Sequence, residues 1–141
     1  MKNSRSLSKD VQFGAEKEEN IIHSLREYFQ SSNIEAMNDK YCIYDAEDTK
    51  SKTRYEIKAR RNKFATYPTT IIPVHKKNAS KKDTRLLFVF GFTDGLYYIE
   101  YDQDLFNTFE TKLVSYYRSG SIANPLLHYC IPNDLLLPIN L

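Results

Sequence analysis

The chain has 141 residues, with 20 Lys and Arg against 18 Asp and Glu and 41% hydrophobic residues. That length fits one domain whose core needs no disulfide or metal staple. Neither a signal-peptide pattern nor an apolar run of about 18 residues is present, which argues against export and membrane spans and for a soluble intracellular protein.

Residues 1–10 are polar and read as a flexible N-terminal arm, with residues 11–141 forming the single domain. A helix is expected from Val11 to about Ser31, because Ile21, Ile22, Leu25, Tyr28 and Phe29 recur at three- and four-residue spacing. At about 100° per residue, Glu18 falls in the middle of that apolar stripe, while Glu16 and Glu19 point away. A carboxylate on a core-facing stripe needs a compensating lysine or metal. The alternative places Glu18 at the solvent rim, where it favours the helix N-terminus.

Two short strands follow, Tyr41–Asp45 and Thr53–Arg60, joined by the polar turn Ala46–Lys52. Side chains alternate along a strand, so Glu56 and Lys58 share a face and Ile57 enters the opposite layer. Asp45 ends the apolar run Tyr41-Cys42-Ile43-Tyr44 and is preferred as their partner over Glu47 and Asp48, which fall in the expected turn. Two carboxylates and an ammonium on one spot suit Mg²⁺ or Mn²⁺ with a substrate phosphate. The lysine could orient water or stabilise charge on phosphorus. Glu-x-Lys by itself is also a common ion pair on exposed strands, so its context decides.

After Asn62 come Tyr67-Pro68-Thr69-Thr70-Ile71-Ile72-Pro73 and a short expected helix, Val74–Lys82. Between Lys50 and Arg85 there are twelve basic residues and two acids, a balance of +10 that leaves −8 for the rest of the chain. Such a block suits a polyanion, or a solvated lysine-rich loop. Arg60, Arg61, Lys63, Lys76 or Lys77, Lys81 and Lys82 are the candidates to grip phosphates, and Tyr67 either stacks on an unpaired base or packs as a turn residue. Arg85–Phe92 and Leu96–Tyr101 flank Thr93-Asp94-Gly95 as a hairpin. A helix is expected from Asp104 to about Arg118, then a strand Leu126–Ile131, and an apolar tail from Asn133 to Leu141 that packs on the domain or on a partner. Cys42 and Cys130 read as buried thiols, and His128-x-Cys130 lacks the second pair that zinc needs.

The succession helix, Asp45 strand, Glu56-x-Lys58 strand, hairpin, helix, strand resembles the core of the PD-(D/E)xK nuclease superfamily over residues 11–131. Gly14-x-x-x-Glu18-x-x-Ile21-Ile22-x-x-Leu25 and Tyr55-Glu56-Ile57-Lys58-Ala59-Arg60 are similar to the opening helix and central strand of its Holliday junction resolvase branch. Tyr44 stands where the family name has proline. The resemblance implies an α/β fold with a restriction-endonuclease-like core, a central mixed β-sheet flanked by helices in the order α-β-β-β-β-α-β. It implies a metal-dependent DNA endonuclease that needs no organic cofactor. Asp45, Glu56 and the backbone carbonyl of Ile57 would be ligands, Glu18 would hold a metal-bound water or second ion, and Lys58 would position the attacking water. The resolvase branch implies branched DNA and a homodimer. The competing readings are a general repair- or phage-type nuclease of the same superfamily, a non-catalytic nucleic-acid-binding module, and an assembly protein in which Glu56 and Lys58 form an ordinary ion pair.

Overall fold

The structure is a computed structural model and describes residues 17–115, 117–118, 121–122 and 124–141. The expected arm 1–10, the start of the first helix and Gly14 and Glu16 lie outside the described residues. The chain is a mixed α/β protein. Helix α1, described over 17–28, is followed by β1 (Ile34–Ala36), β2 (Ala46–Asp48), β3 (Thr53–Ala59), β4 (Thr69–Pro73), β5 (Arg85–Phe92) and β6 (Gly95–Glu100). A single turn of helix, α2 (Gln103–Phe106), precedes β7 (Glu110–Val114), β8 (Tyr117–Arg118), β9 (Ser121–Ile122), β10 (Leu126–Pro132) and β11 (Leu137–Pro138).

The main sheet has six strands in the order β1-β2-β3-β5-β6-β11, mixed because β3 and β5 run parallel while the other neighbours are antiparallel. Strand β5 sits at its centre and is buried at every position but the first. That is why Leu86-Leu87-Phe88-Val89-Phe90 reads as an unbroken apolar run with no alternation. Leu87 and Val89 face α1 through Ile21, Ile22 and Leu25, together with Tyr55 and Ile57 of β3. Leu86, Phe88 and Phe90 face the other way, onto Ile72 of β4 and Tyr129 and Ile131 of β10. Gly91 lets the helix come close, since a Cβ there would lie 2.7 Å from Ile21 Cδ1.

The mixed sheet agrees with the expectation, and the flanking by helices differs from it. Among the described residues α1 covers one face alone, and the second sheet, β4-β10-β7, covers the other. The Asp104–Arg118 helix is instead the four-residue α2 followed by a strand. Asp102, not Asp104, caps α2 by accepting from Leu105 N at 3.0 Å, and Phe106 is fully buried. Beyond it, Thr108, Phe109, Thr111 and Val114 bring β-branched and aromatic residues that pack better on a pleated surface. The Val74–Lys82 helix is a 3₁₀ segment, Val74–Ala79. Tyr41 and Ile43 are exposed, so Tyr41–Asp45 is a loop, and the strand begins only at the buried Ala46. The hairpin β5–β6 forms around Thr93-Asp94 as its pattern indicates, and the tail docks on the domain through β11 against β6 with Leu136 and Ile139 buried. Cys42 and Cys130 are half-buried free thiols, Cys42 in that loop and Cys130 on β10.

Candidate active site

Strands β2 and β3 pair from Asp48–Thr53 to Ala46–Tyr55, and then they part. Asp45 still donates its amide to Tyr55 O at 2.9 Å, but its carbonyl is taken by Met37 N at 2.9 Å. The next amide of β3, Ile57 N, donates instead to the Asp45 carboxylate, Oδ2, at 2.7 Å. A side chain thus replaces the backbone acceptor a continuing strand would supply. The bond ties the Asp45 carboxylate to the residue that lies between Glu56 and Lys58 in the chain, and its charge is felt at Glu56.

Glu56 and Lys58 lie on the face of β3 that meets the second sheet, opposite Phe88 and Phe90 of β5. The Glu56 side chain is only 3% exposed, and its Oε1 is approached by Lys58 Nζ at 3.5 Å and by Lys76 Nζ at 3.0 Å. Burial raises the Glu56 pKa above the usual carboxylate range, and the Asp45 charge adds to this, while Lys58 and Lys76 act against it. Glu18, half-buried on α1, is pushed up to about 7 by burial, then by the charges of Asp45 and Glu56, with Lys58 opposing. The helix thus sets Glu18 within electrostatic reach of the other three residues. Glu18 also lines a cavity of about 380 Å³ with Ile22, Ala36 and Met37, and Glu19 is exposed.

Glu47 and Asp48 lie in β2 and not in a turn, and both are engaged elsewhere. Asp48 is buried, accepts from Ser31 Oγ at 2.6 Å and from the amides of Lys50 and Ser51, and its pKa is lowered first by the Ser31 bond. Glu47 accepts from Tyr44 Oη at 3.0 Å and faces Arg54.

The basic block divides into two sets. Arg54 and Arg85 meet Glu47 and Glu100, and Lys58 and Lys76 meet Glu56, so these four cations are compensated within the domain. Arg60 donates Nη2 to Ile71 O at 2.7 Å and is half-buried, whereas Arg61, Lys63, Lys77, Lys81 and Lys82 lie exposed. Tyr67 is 61% exposed and lines, with Arg60, Asn62, Thr69 and Lys112, a cavity of about 560 Å³ that none of the acid-site residues lines. Lys76 belongs with the acids and not with the flanking cations, contrary to expectation. Only the fold brings the turn Val74–Ala79 over β3, and no spacing in the sequence carries that information.

For a divalent ion the donor chemistry fits. Asp45 keeps Oδ1 beyond its bond to Ile57 N, and the Glu56 carboxylate and the Ile57 carbonyl are oxygen donors of the hard kind that Mg²⁺ and Mn²⁺ prefer. Among the described residues no three Asp, Glu, His or Cys side chains are grouped closely enough to hold an ion by themselves. One or two carboxylates completed by waters and substrate phosphate are the usual Mg²⁺ environment. Among the described residues, no helix is long and apolar enough to cross a membrane. No protein-family model, curated protein or solved structure matches the chain.

Proposed function

We propose that the protein is a divalent-metal-dependent DNA endonuclease that hydrolyses phosphodiester bonds. The observation that carries this reading is the Asp45 carboxylate clipped to Ile57 N at 2.7 Å, which puts it beside Glu56 and Lys58 on the adjoining strand. The strand arrangement supports it too: β1-β2-β3 as an antiparallel meander, with β5 parallel to β3 and α1 on one face, is compatible with a restriction-endonuclease-like core. Asp45, Glu56 and the Ile57 carbonyl hold the ion, which when bound supplies Lewis-acid stabilisation of the phosphate charge. Lys58 orients water toward phosphorus, and Glu18 accepts a hydrogen bond from water at the edge of the site. Lys81, Lys82, Arg61, Lys63 and Lys77 attract the DNA backbone without reading bases, and Tyr67 offers a stacking face for an unpaired base.

The test is incubation with Mg²⁺ or Mn²⁺ and a panel of four-way junction, flap, single-stranded and linear duplex DNA. Cleavage that is lost on chelation is the expected result, and an inert protein with both ions overturns the reading. The ion pairs of Glu56 with Lys58 and Lys76 favour one competitor, a non-catalytic binding module whose acid is neutralised permanently. A thermal shift on adding Mg²⁺ that vanishes in Asp45→Asn separates the two, because a ligand bound only by the folded state raises its stability.

Charge reversal at Lys81 and Lys82 is expected to weaken binding to all DNA sequences alike. The salt dependence should flatten by roughly 0.9 in log–log slope per lost phosphate contact. A loss selective for sequence, measured by fluorescence anisotropy across salt, would mean that these lysines read bases.

Cutting a junction symmetrically requires two sites in fixed relation, so activity of the resolvase kind requires a two-fold dimer. The edge of β6 is already covered by β11, and the surfaces nominated for the dimer are Leu135, Leu137 and Leu141 of the tail, all exposed, and the β1 edge. Light scattering at micromolar concentration should report a dimer. A monomer that cuts duplex and junction at equal rates points to a general nuclease.

A further inference from the structure

Lys76 reaches the acid site from outside the main sheet. It sits on the 3₁₀ segment Val74–Ala79, entered through Pro73 and held at its far end by the buried Ala79, whose carbonyl accepts from Arg54 Nη1 at 2.9 Å. Arg54, Glu56 and Lys58 share one face of β3, so the strand that carries the acid also anchors the segment that carries Lys76. Lys76 Nζ lies 3.0 Å from Glu56 Oε1 with its side chain 24% exposed, while its neighbour Lys77 is exposed. Glu56 already has Lys58 at 3.5 Å, and Lys76 converges on the same oxygen. Lys58 and Lys76 balance the acid cluster of Glu56, Asp45 and Glu18 while it holds no ion, so a divalent ion on the carboxylates would displace Lys76 from Glu56 Oε1 and free its ammonium for a second anion.

Resting on the nuclease reading, we propose that Lys76 is a second lysine of the reaction site. It pairs with Glu56 in the metal-free protein and gives its ammonium to a non-bridging oxygen of the scissile phosphate in the loaded complex. In the hydrolysis, the water oxygen bonds to phosphorus, the bond from phosphorus to the leaving sugar oxygen breaks, and one proton of the water ends on that oxygen. Lys76 forms no covalent bond and keeps its protons. Its role is to stabilise the charge that grows on the phosphoryl oxygens.

Two measurements on Lys76→Met, Lys76→Arg and Lys77→Met test this. In Mn²⁺ titrations of the DNA-free protein by calorimetry, Lys76→Met should bind the ion at least about threefold tighter than wild type, because a competing cation has left Glu56. Lys77→Met should bind as wild type does. In cleavage at saturating Mg²⁺, Lys76→Met should lose on the order of 10²-fold in kcat with KM nearly unchanged. Lys76→Arg should recover part of that rate, and Lys77→Met should alter KM alone. Wild-type Mn²⁺ affinity or wild-type kcat in Lys76→Met overturns the proposal while the nuclease reading stands. A wild-type protein that cuts no DNA in the same assay removes both.

Discussion

Asp45→Asn, Glu56→Gln and Lys58→Ala are each expected to lower metal-dependent DNA cleavage by about 10²-fold or more, the usual cost of a lost catalytic group. The choice of substitution at position 45 matters. The carboxylate does structural work as well, accepting Ile57 N at 2.7 Å. Asparagine keeps an acceptor oxygen there and removes only the charge, whereas alanine would orphan a partly buried amide at a cost of about 1–3 kcal/mol. Asp45→Asn should therefore fold as wild type does and hold DNA at least as tightly, since a carboxylate no longer repels the phosphate. Glu56→Gln removes the charge that Lys58 and Lys76 both meet, so its melting temperature should fall while its DNA binding persists. Glu47→Gln is the control, because Glu47 is occupied with Tyr44 and Arg54. Cleavage assays paired with melting curves decide the matter, and retention of more than about a tenth of the wild-type rate by all three variants would defeat the assignment.

Stability without metal should fall as pH rises from about 5 to 8, and added Mg²⁺ should restore it at the upper end. Glu18 titrates near 7 in the folded protein against 4.5 unexposed to these neighbours, and Glu56 is raised as well. Between those limits the native state holds protons that the unfolded chain has released, so the slope of unfolding free energy with pH is negative. The contribution is fully present below about 4.5 and is lost as pH rises through the folded value. Glu18 is half-exposed, which shrinks the effect through solvent screening. His75 works in the opposite direction, because burial, Lys76 and Lys58 lower its pKa, so its contribution grows as pH rises through the same range. Comparing wild type with Glu18→Gln cancels His75. The variant should be more stable at pH 8, on the order of a few °C in Tm, and flatter with pH. Its cleavage should drop while Glu19→Gln changes little, because Glu19 is exposed. Parallel Tm profiles for wild type and Glu18→Gln would remove Glu18 from the acid cluster.

The sequence alone made some features legible because their physics is local. Glu56 and Lys58 share a face because strand side chains alternate, and Glu18 is half-buried on α1, where helical spacing aligns it with the buried Ile21, Ile22 and Leu25. The hairpin was readable for the same reason, as two apolar runs flanking Thr93-Asp94-Gly95, with Gly95 proving to be the first residue of β6. Where packing competes with periodicity, the sequence pattern misled. Phe106, Phe109 and Leu113 suit one helix face by spacing, yet Leu113 is exposed on β7 and pairs with Leu127 of β10. The partner strand supplies hydrogen bonds that no local pattern announces.

The site divides in the same way. Its central pair comes from strand alternation, but the assembly around that pair depends on contacts between residues far apart in the chain. Asp45 reaches Ile57 because β2 leaves β3 there and a carboxylate takes the vacant acceptor place. Lys76 reaches Glu56, twenty residues earlier in the chain, because the connection between the parallel strands β3 and β5 passes back over the sheet. Spacing along the chain can put two charges on one face of one element, whereas bringing charges from different elements to one carboxylate requires the crossover and the burial that hold it in place.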